Sequence, residues 1–139
     1  MSVAGFDHVA LPTANAERLV AFYRALGFGT EGEEGWRAGE RRTFAITFGD
    51  NKINVHPEDM VSLRGAPEYL RGPTAEPGCG DLCFVWEGSQ ESLQTLLRDA
   101  RAEEIEGPVA RDGGRRAHGS SLYVRDPDGN LLEFITYGS

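Results

Sequence analysis

Long apolar runs are missing from this sequence. Its hydrophobic stretches are no longer than a strand, so a membrane-spanning helix of about 20 apolar residues has nowhere to sit. A basic cluster is missing too. Lys and Arg number 14 against 22 Asp and Glu, a formal net charge of -8, and nucleic acid would meet net repulsion with no footprint for its phosphates. Cysteine is scarce, with only Cys79 and Cys83 present. On a common strand these would stand about 13 Å apart at roughly 3.3 Å per residue, too far to bridge, so free thiols in a reducing compartment are expected. The N-terminus lacks the charged-then-apolar plan of a signal peptide. A cytoplasmic protein follows, with neither membrane nor nucleic acid as partner. What is present suffices for one domain over residues 1–139, since 40% of the residues are apolar and can fill an ordinary core.

The chain says nearly the same thing twice. Asn15, Glu17, Leu19, Phe22, Tyr23 and Leu26 follow one helix pattern, and Ser89, Glu91, Leu93, Leu96, Leu97 and Ala100 repeat it 74 residues later. Each set has an N-cap residue, an acid in the first turn, then apolar residues at helical spacing. Gly27 is placed to close the first helix. A strand precedes each helix, Phe6 to Leu11 and Gly80 to Trp86, and three strand-like runs follow. These are Trp36 to Ala38, Arg42 to Phe48 and Lys52 to His56 in the first half, and Ile105 to Ala110, Ser120 to Arg125 and Leu131 to Tyr137 in the second. The closing turns, Gly49-Asp50-Asn51 and Asp126-Pro127-Asp128-Gly129-Asn130, align at an offset of 79. Both halves therefore read β-α-β-β-β, an α+β class of two tandem βαβββ modules over about 4–56 and 79–137. The stretch 57–78 between them has four prolines and reads as a connector.

In a sheet covered by helices on one side, alternate residues face the helices and the rest face an open, concave side. That parity sends Val9, Leu11, Ile53, Val55, Leu82, Phe84, Leu132 and Phe134 to the core. It sends His8, Asn54, His56, Asp81 and Glu133 to the cavity, where Asn54 is the internal counterpart of Glu133. Two imidazoles, two carboxylates and an amide are the donors that Fe²⁺, Mn²⁺, Ni²⁺ or Zn²⁺ accept, and two histidines with one carboxylate leave positions for substrate. His8, His56, Asp81 and Glu133 are the candidate metal ligands. Plainer roles remain open, such as a hydrogen-bonded structural histidine or an Asp81 that caps a loop, but an unpartnered Glu133 among Leu131, Leu132, Phe134 and Ile135 would be costly. Phe44, Ile46, Cys83, Ser121, Tyr123 and Arg125 fall on the cavity side by the same counting. Of these, Phe44, Ser121, Tyr123 and Arg125, with Asn54, are the candidate substrate contacts. The glycine-rich basic stretch 111–119 reads either as a solvated hairpin loop or as a cover for an anionic substrate.

With Phe6-Asp7-His8-Val9-Ala10-Leu11, the helix ending Phe22-Tyr23 and Leu26-Gly27-Phe28, and Asp126-Pro127-Asp128-Gly129-Asn130-Leu131-Leu132-Glu133-Phe134, the chain resembles the vicinal-oxygen-chelate superfamily over nearly its whole length. That superfamily includes glyoxalase I, fosfomycin-modifying transferases, extradiol dioxygenases, methylmalonyl-CoA epimerases and metal-free antibiotic-sequestering proteins. The resemblance implies an incomplete barrel, a divalent metal whose ligands fall at His8, Asn54, Asp81 and Glu133, and a homodimer. Two positions depart from the family pattern: Asp81 stands where histidine is usual and Asn54 where glutamate is frequent. Asn51-Lys52-Ile53-Asn54-Val55-His56 and Gly80-Asp81-Leu82-Cys83-Phe84 resemble a glyoxalase-like subgroup. The expected function is a metal-dependent enzyme of lyase, dioxygenase or transferase type, in which the ion chelates oxygens of a small substrate and Glu133 moves protons. The alternative is a metal-free protein that sequesters a small molecule or antibiotic.

Overall fold

The computed structural model describes residues 1–63, 66 and 69–138. The chain divides into two compact units, Met1–Pro77 and Gly78–Ser139. The first contains β1 (His8–Pro12), α1 (Ala16–Ala25), β2 (Gly29–Glu31), α2 (Glu33–Arg37), β3 (Phe44–Phe48), β4 (Asn51–His56) and α3 (Glu58–Val61). The second contains β5 (Asp81–Val85), α4 (Gln90–Asp99), β6 (Glu106–Asp112), β7 (His118–Arg125) and β8 (Leu131–Tyr137). Each unit holds a four-stranded mixed sheet, in order β1-β4-β3-β2 and β5-β8-β7-β6. In both, the first and last strands pair parallel and the remaining pairs are antiparallel. The repeat legible in the sequence is thus a repeat of topology.

The two long helices start and stop where their residue types direct. Asn15 Oδ1 accepts from Arg18 N at 3.0 Å and Ser89 Oγ from Ser92 N at 3.0 Å, satisfying amides that have no helical partner. Gly27 ends α1 at φ +92°, a left-handed geometry that lets its N–H reach Arg24 O and lets Phe28 N reach Tyr23 O. One face of α1 buries Leu19, Val20 and Tyr23 and one face of α4 buries Leu93 and Leu97, each large side chain contributing about 2 kcal/mol by leaving water. Ile53, Val55 and Leu132, all at most 1% exposed, lie on the core side of the last strands.

Two elements differ from expectation. Trp36 to Ala38 do not form a strand: the strand after α1 is β2, and Trp36 belongs to the short helix α2. Gly32 at φ +78° opens that helix, Glu33 and Glu34 occupy its first turn, and Arg37 reaches back to Glu33 at i, i+4. Trp36 then packs its ring on Phe44 at 4.6 Å between centroids. The connector also has structure of its own. It begins with α3, which buries Met60, and Glu58 Oε2 accepts from Ala16 N at 3.1 Å, capping the start of α1.

The two closing turns solve the same problem differently. Phe48 pairs with Asn51, so only Gly49 and Asp50 form the first turn, with Gly49 at φ +52°. In the second, buried Asp126 accepts from the backbone of Asp128 and of Asn130 and from the Asn130 amide, at 2.8–3.0 Å. Asn130 Oδ1 in turn accepts from Gly80 N at 2.7 Å, tying the entry of β8 to that of β5.

Candidate functional site

Register settles which side chains share a face, because directly paired residues point the same way. In the first unit His8 pairs with Lys52, Ala10 with Asn54 and Pro12 with His56, so His8, Lys52, Asn54 and His56 lie on one face. In the second unit Asp81 pairs with Leu131 and Cys83 with Glu133, while Ser121, Tyr123 and Arg125 pair with Ile135, Glu133 and Leu131. Those residues share the face opposite Leu132 and Phe134, and on it Ser121 and Ile135 are themselves buried. Phe44 and Ile46 do not follow the expectation. They pair with Val55 and Ile53, are at most 1% exposed, and pack in the core; Ala45 and Thr47 take their place on the His8 face.

The second unit carries the more built of the two faces. Ser121, fully buried, donates from Oγ to Glu133 Oε2 at 2.6 Å, so the carboxylate has the partner its apolar strand demands. Tyr123 stands opposite Glu133, and its hydroxyl accepts from Arg111 Nε at 3.0 Å with the guanidinium 5.6 Å from the ring centre. Burial first, then the Glu133 carboxylate, push the Tyr123 phenol above its usual range, and Arg111 pulls in the opposite direction. Cys83 is exposed at its edge, yet partial desolvation above all, and then the charges of Glu133 and Asp81, push its thiol up to about 12. It is an inert thiol at neutral pH. Arg125 directs its guanidinium to Gly129 O at 3.0 Å, holding the turn. The stretch 111–119 ends β6, turns and begins β7; it is the hairpin, and His118 pairs with Asp112 at 2.5 Å.

The first unit offers cations and neutral donors instead. Asp7 Oδ1 engages His8 Nδ1 at 2.5 Å, leaving Nε2 as the free ring nitrogen, an orientation metal-binding histidines favour. His56 lies four residues further along the strands, about 13 Å away. Its Nδ1 is buried without a hydrogen-bond partner, and burial followed by the neighbouring charge of Arg71 lowers its pKa. A guanidinium beside His56 opposes a divalent cation there. Among the described residues no three of His, Cys, Asp and Glu are gathered closely enough to hold a metal ion. Within either unit the described donors reach at most a pair, Asp81 and Glu133 in the second and His8 and His56 in the first.

Two features escaped the sequence. Arg71 lies in the connector, where nothing marked it, and Arg111 was visible only as one of several arginines in a basic stretch. Its spacing to Tyr123 becomes legible once β6 and β7 are paired.

A model of the glyoxalase/bleomycin resistance protein/dioxygenase superfamily matches residues 5–134. The chain belongs to that superfamily. It is 34% identical to the glyoxalase domain-containing protein RDO1 of Mycosarcoma maydis, covering 99% of this chain and 70% of the relative. It is 33% identical to the virulence protein STM3117 of Salmonella typhimurium, covering 99% and 87%. The crystal structure of STM3117 matches with a TM-score of 0.82 at 30% identity, over 99% of this chain and 100% of that one. A lactoylglutathione lyase from Agrobacterium tumefaciens shares the fold alone, with a TM-score of 0.67 at 17% identity over 99% and 96%. The vicinal-oxygen-chelate resemblance is thereby established at the level of family and fold. No helix of the described residues is long and apolar enough to cross a membrane.

Proposed function

We propose that this superfamily member acts on a small molecule with neighbouring oxygen functions, by a lyase-type proton transfer in which Glu133 takes and returns the proton. The observation that carries the reading is the Ser121–Glu133 hydrogen bond at 2.6 Å on the open face of the second unit. Ser121 holds one carboxylate oxygen, and Cys83 and Tyr123 border the same carboxylate on the face a substrate would meet. Tyr123, opposite, supplies a hydroxyl whose high pKa keeps it a donor at neutral pH. Relatives of this superfamily support a divalent ion as cofactor, which would polarise the substrate oxygens. On the second unit's face Asp81 and Glu133, and on the first unit's face His8, are each better suited to such an ion than His56, which Arg71 disfavours. The reading includes a cytoplasmic homodimer.

The test follows hydrogen–deuterium exchange at carbons beside carbonyl groups, by proton NMR in D₂O, over a panel of hydroxy-ketones and keto-acids, with metal content measured on the same tag-free preparation. Glu133→Gln should slow exchange about 100-fold or more while leaving circular dichroism unchanged. Equal rates in both proteins would remove Glu133 from the reaction. A second reading, a metal-free protein that only sequesters its ligand, is favoured by Asp81 and Asn54 standing where the family's usual donors are His and Glu. It predicts binding without exchange and without stoichiometric metal.

A further inference from the structure

The end of α3 holds one nitrogen of a guanidinium whose others have no partner. Arg71 Nη2 donates to Met60 O at 2.8 Å and to Val61 O at 3.2 Å. Arg71 Nε and Nη1 are shielded from water and bonded to nothing, and His56 Nδ1, close by, is in the same condition. Arg24, Arg37 and Arg42 each have a carboxylate partner; among the described residues Arg71 has none. Donor atoms shielded from water and left idle are costly, and they call for a partner that accepts from them.

We infer that Arg71 and His56 form a binding site for the oxyanion of a small ligand, a carboxylate or a phosphate-type group, which accepts hydrogen bonds from Arg71 Nε, Arg71 Nη1 and His56 Nδ1. The charge beside His56 selects an anion over a metal cation, and a planar guanidinium matches paired oxygens better than a halide. Both residues are only half-buried as wholes, so part of each side chain stays open to the solvent from which a ligand enters. Asn54 lies two residues back along β4 on the same face. A ligand anchored by its anion at His56 extends along that face, where the Asn54 amide meets a further oxygen. The site is built from the first unit alone and stands or falls independently of Glu133.

The experiment titrates ¹⁵N-labelled full-length protein with inorganic phosphate and, separately, with acetate, at ionic strength held constant with chloride. The readout is the Arg71 Nε–H resonance, identified by its loss in Arg71→Lys, together with the backbone amide of Thr13, which donates to His56 O at 3.0 Å. A saturable shift with one of the two anions is expected, and which one it is names the ligand class. In Arg71→Lys the Thr13 response should weaken at least tenfold. His56→Asn serves the same comparison if Arg71→Lys does not fold. Chloride producing the same shifts, neither anion saturating, or a variant titrating like the parent would each overturn the site.

Discussion

The two units share a topology and differ in polarity. In the first, the paired strands β1 and β4 present His8, Lys52, Asn54 and His56 on the open face, with no acid. In the second, the equivalent β5 and β8 present Asp81, Cys83 and Glu133, with no cation. Their core sides are interchangeable in kind: Ile53 and Val55 in one, Leu132 and Phe134 in the other, all buried. Because a strand alternates sides at every residue, selection on the core and selection on the face act on separate sets of positions. A duplicated scaffold can hold its fold while its two faces part chemically.

The widest separation between the faces should appear in thiol reactivity. With Cys79→Ser as background, Cys83 is expected to alkylate roughly a thousandfold more slowly at pH 8 than a cysteine placed by Ala10→Cys, its counterpart on the first unit's face, taking an ordinary thiol pKa for the latter. The sign follows from Cys83 being held up to about 12: its rate should climb tenfold per pH unit until the pH approaches that value. Equal rates would erase the contrast. The cores should behave alike. Ile53→Ala and Leu132→Ala, at positions 1% and 0% exposed, should each cost about 3 kcal/mol in urea unfolding, and a large inequality would show that the halves are not equivalent beneath their faces. Smallest, and again matched, Asn15→Ala and Ser89→Ala should each cost about 1 kcal/mol, since each removes one side-chain cap on an orphan amide.

Much of this was legible in the residues. Caps, first-turn acids and apolar spacing located α1 and α4, and parity along β1, β4, β5 and β8 sorted core from face. Phe44 went astray for a countable reason. Reading Gly49-Asp50-Asn51 as a three-residue turn pairs Phe44 with His56, whereas the two-residue turn that forms pairs it with Val55 and reverses its side. The five-residue turn at Asp126 was counted correctly, and Ser121, Tyr123 and Arg125 share the Glu133 face accordingly. Trp36 misled because an aromatic favours a strand in isolation, while the Glu33–Arg37 pair and Gly32 decide for a helical turn. Arg71 was invisible because its meaning lies in what α3 does with its carbonyls, and a four-residue helix in a proline-rich connector leaves little periodicity to read.

The Glu58 carboxylate on Ala16 N also bears on how such a protein comes to be doubled. A half cut away at the end of β4 would lose the acid that caps its own first helix. The self-sufficient module of the first half therefore extends through α3, whereas α4 of the second half starts with Ser89 as its side-chain cap.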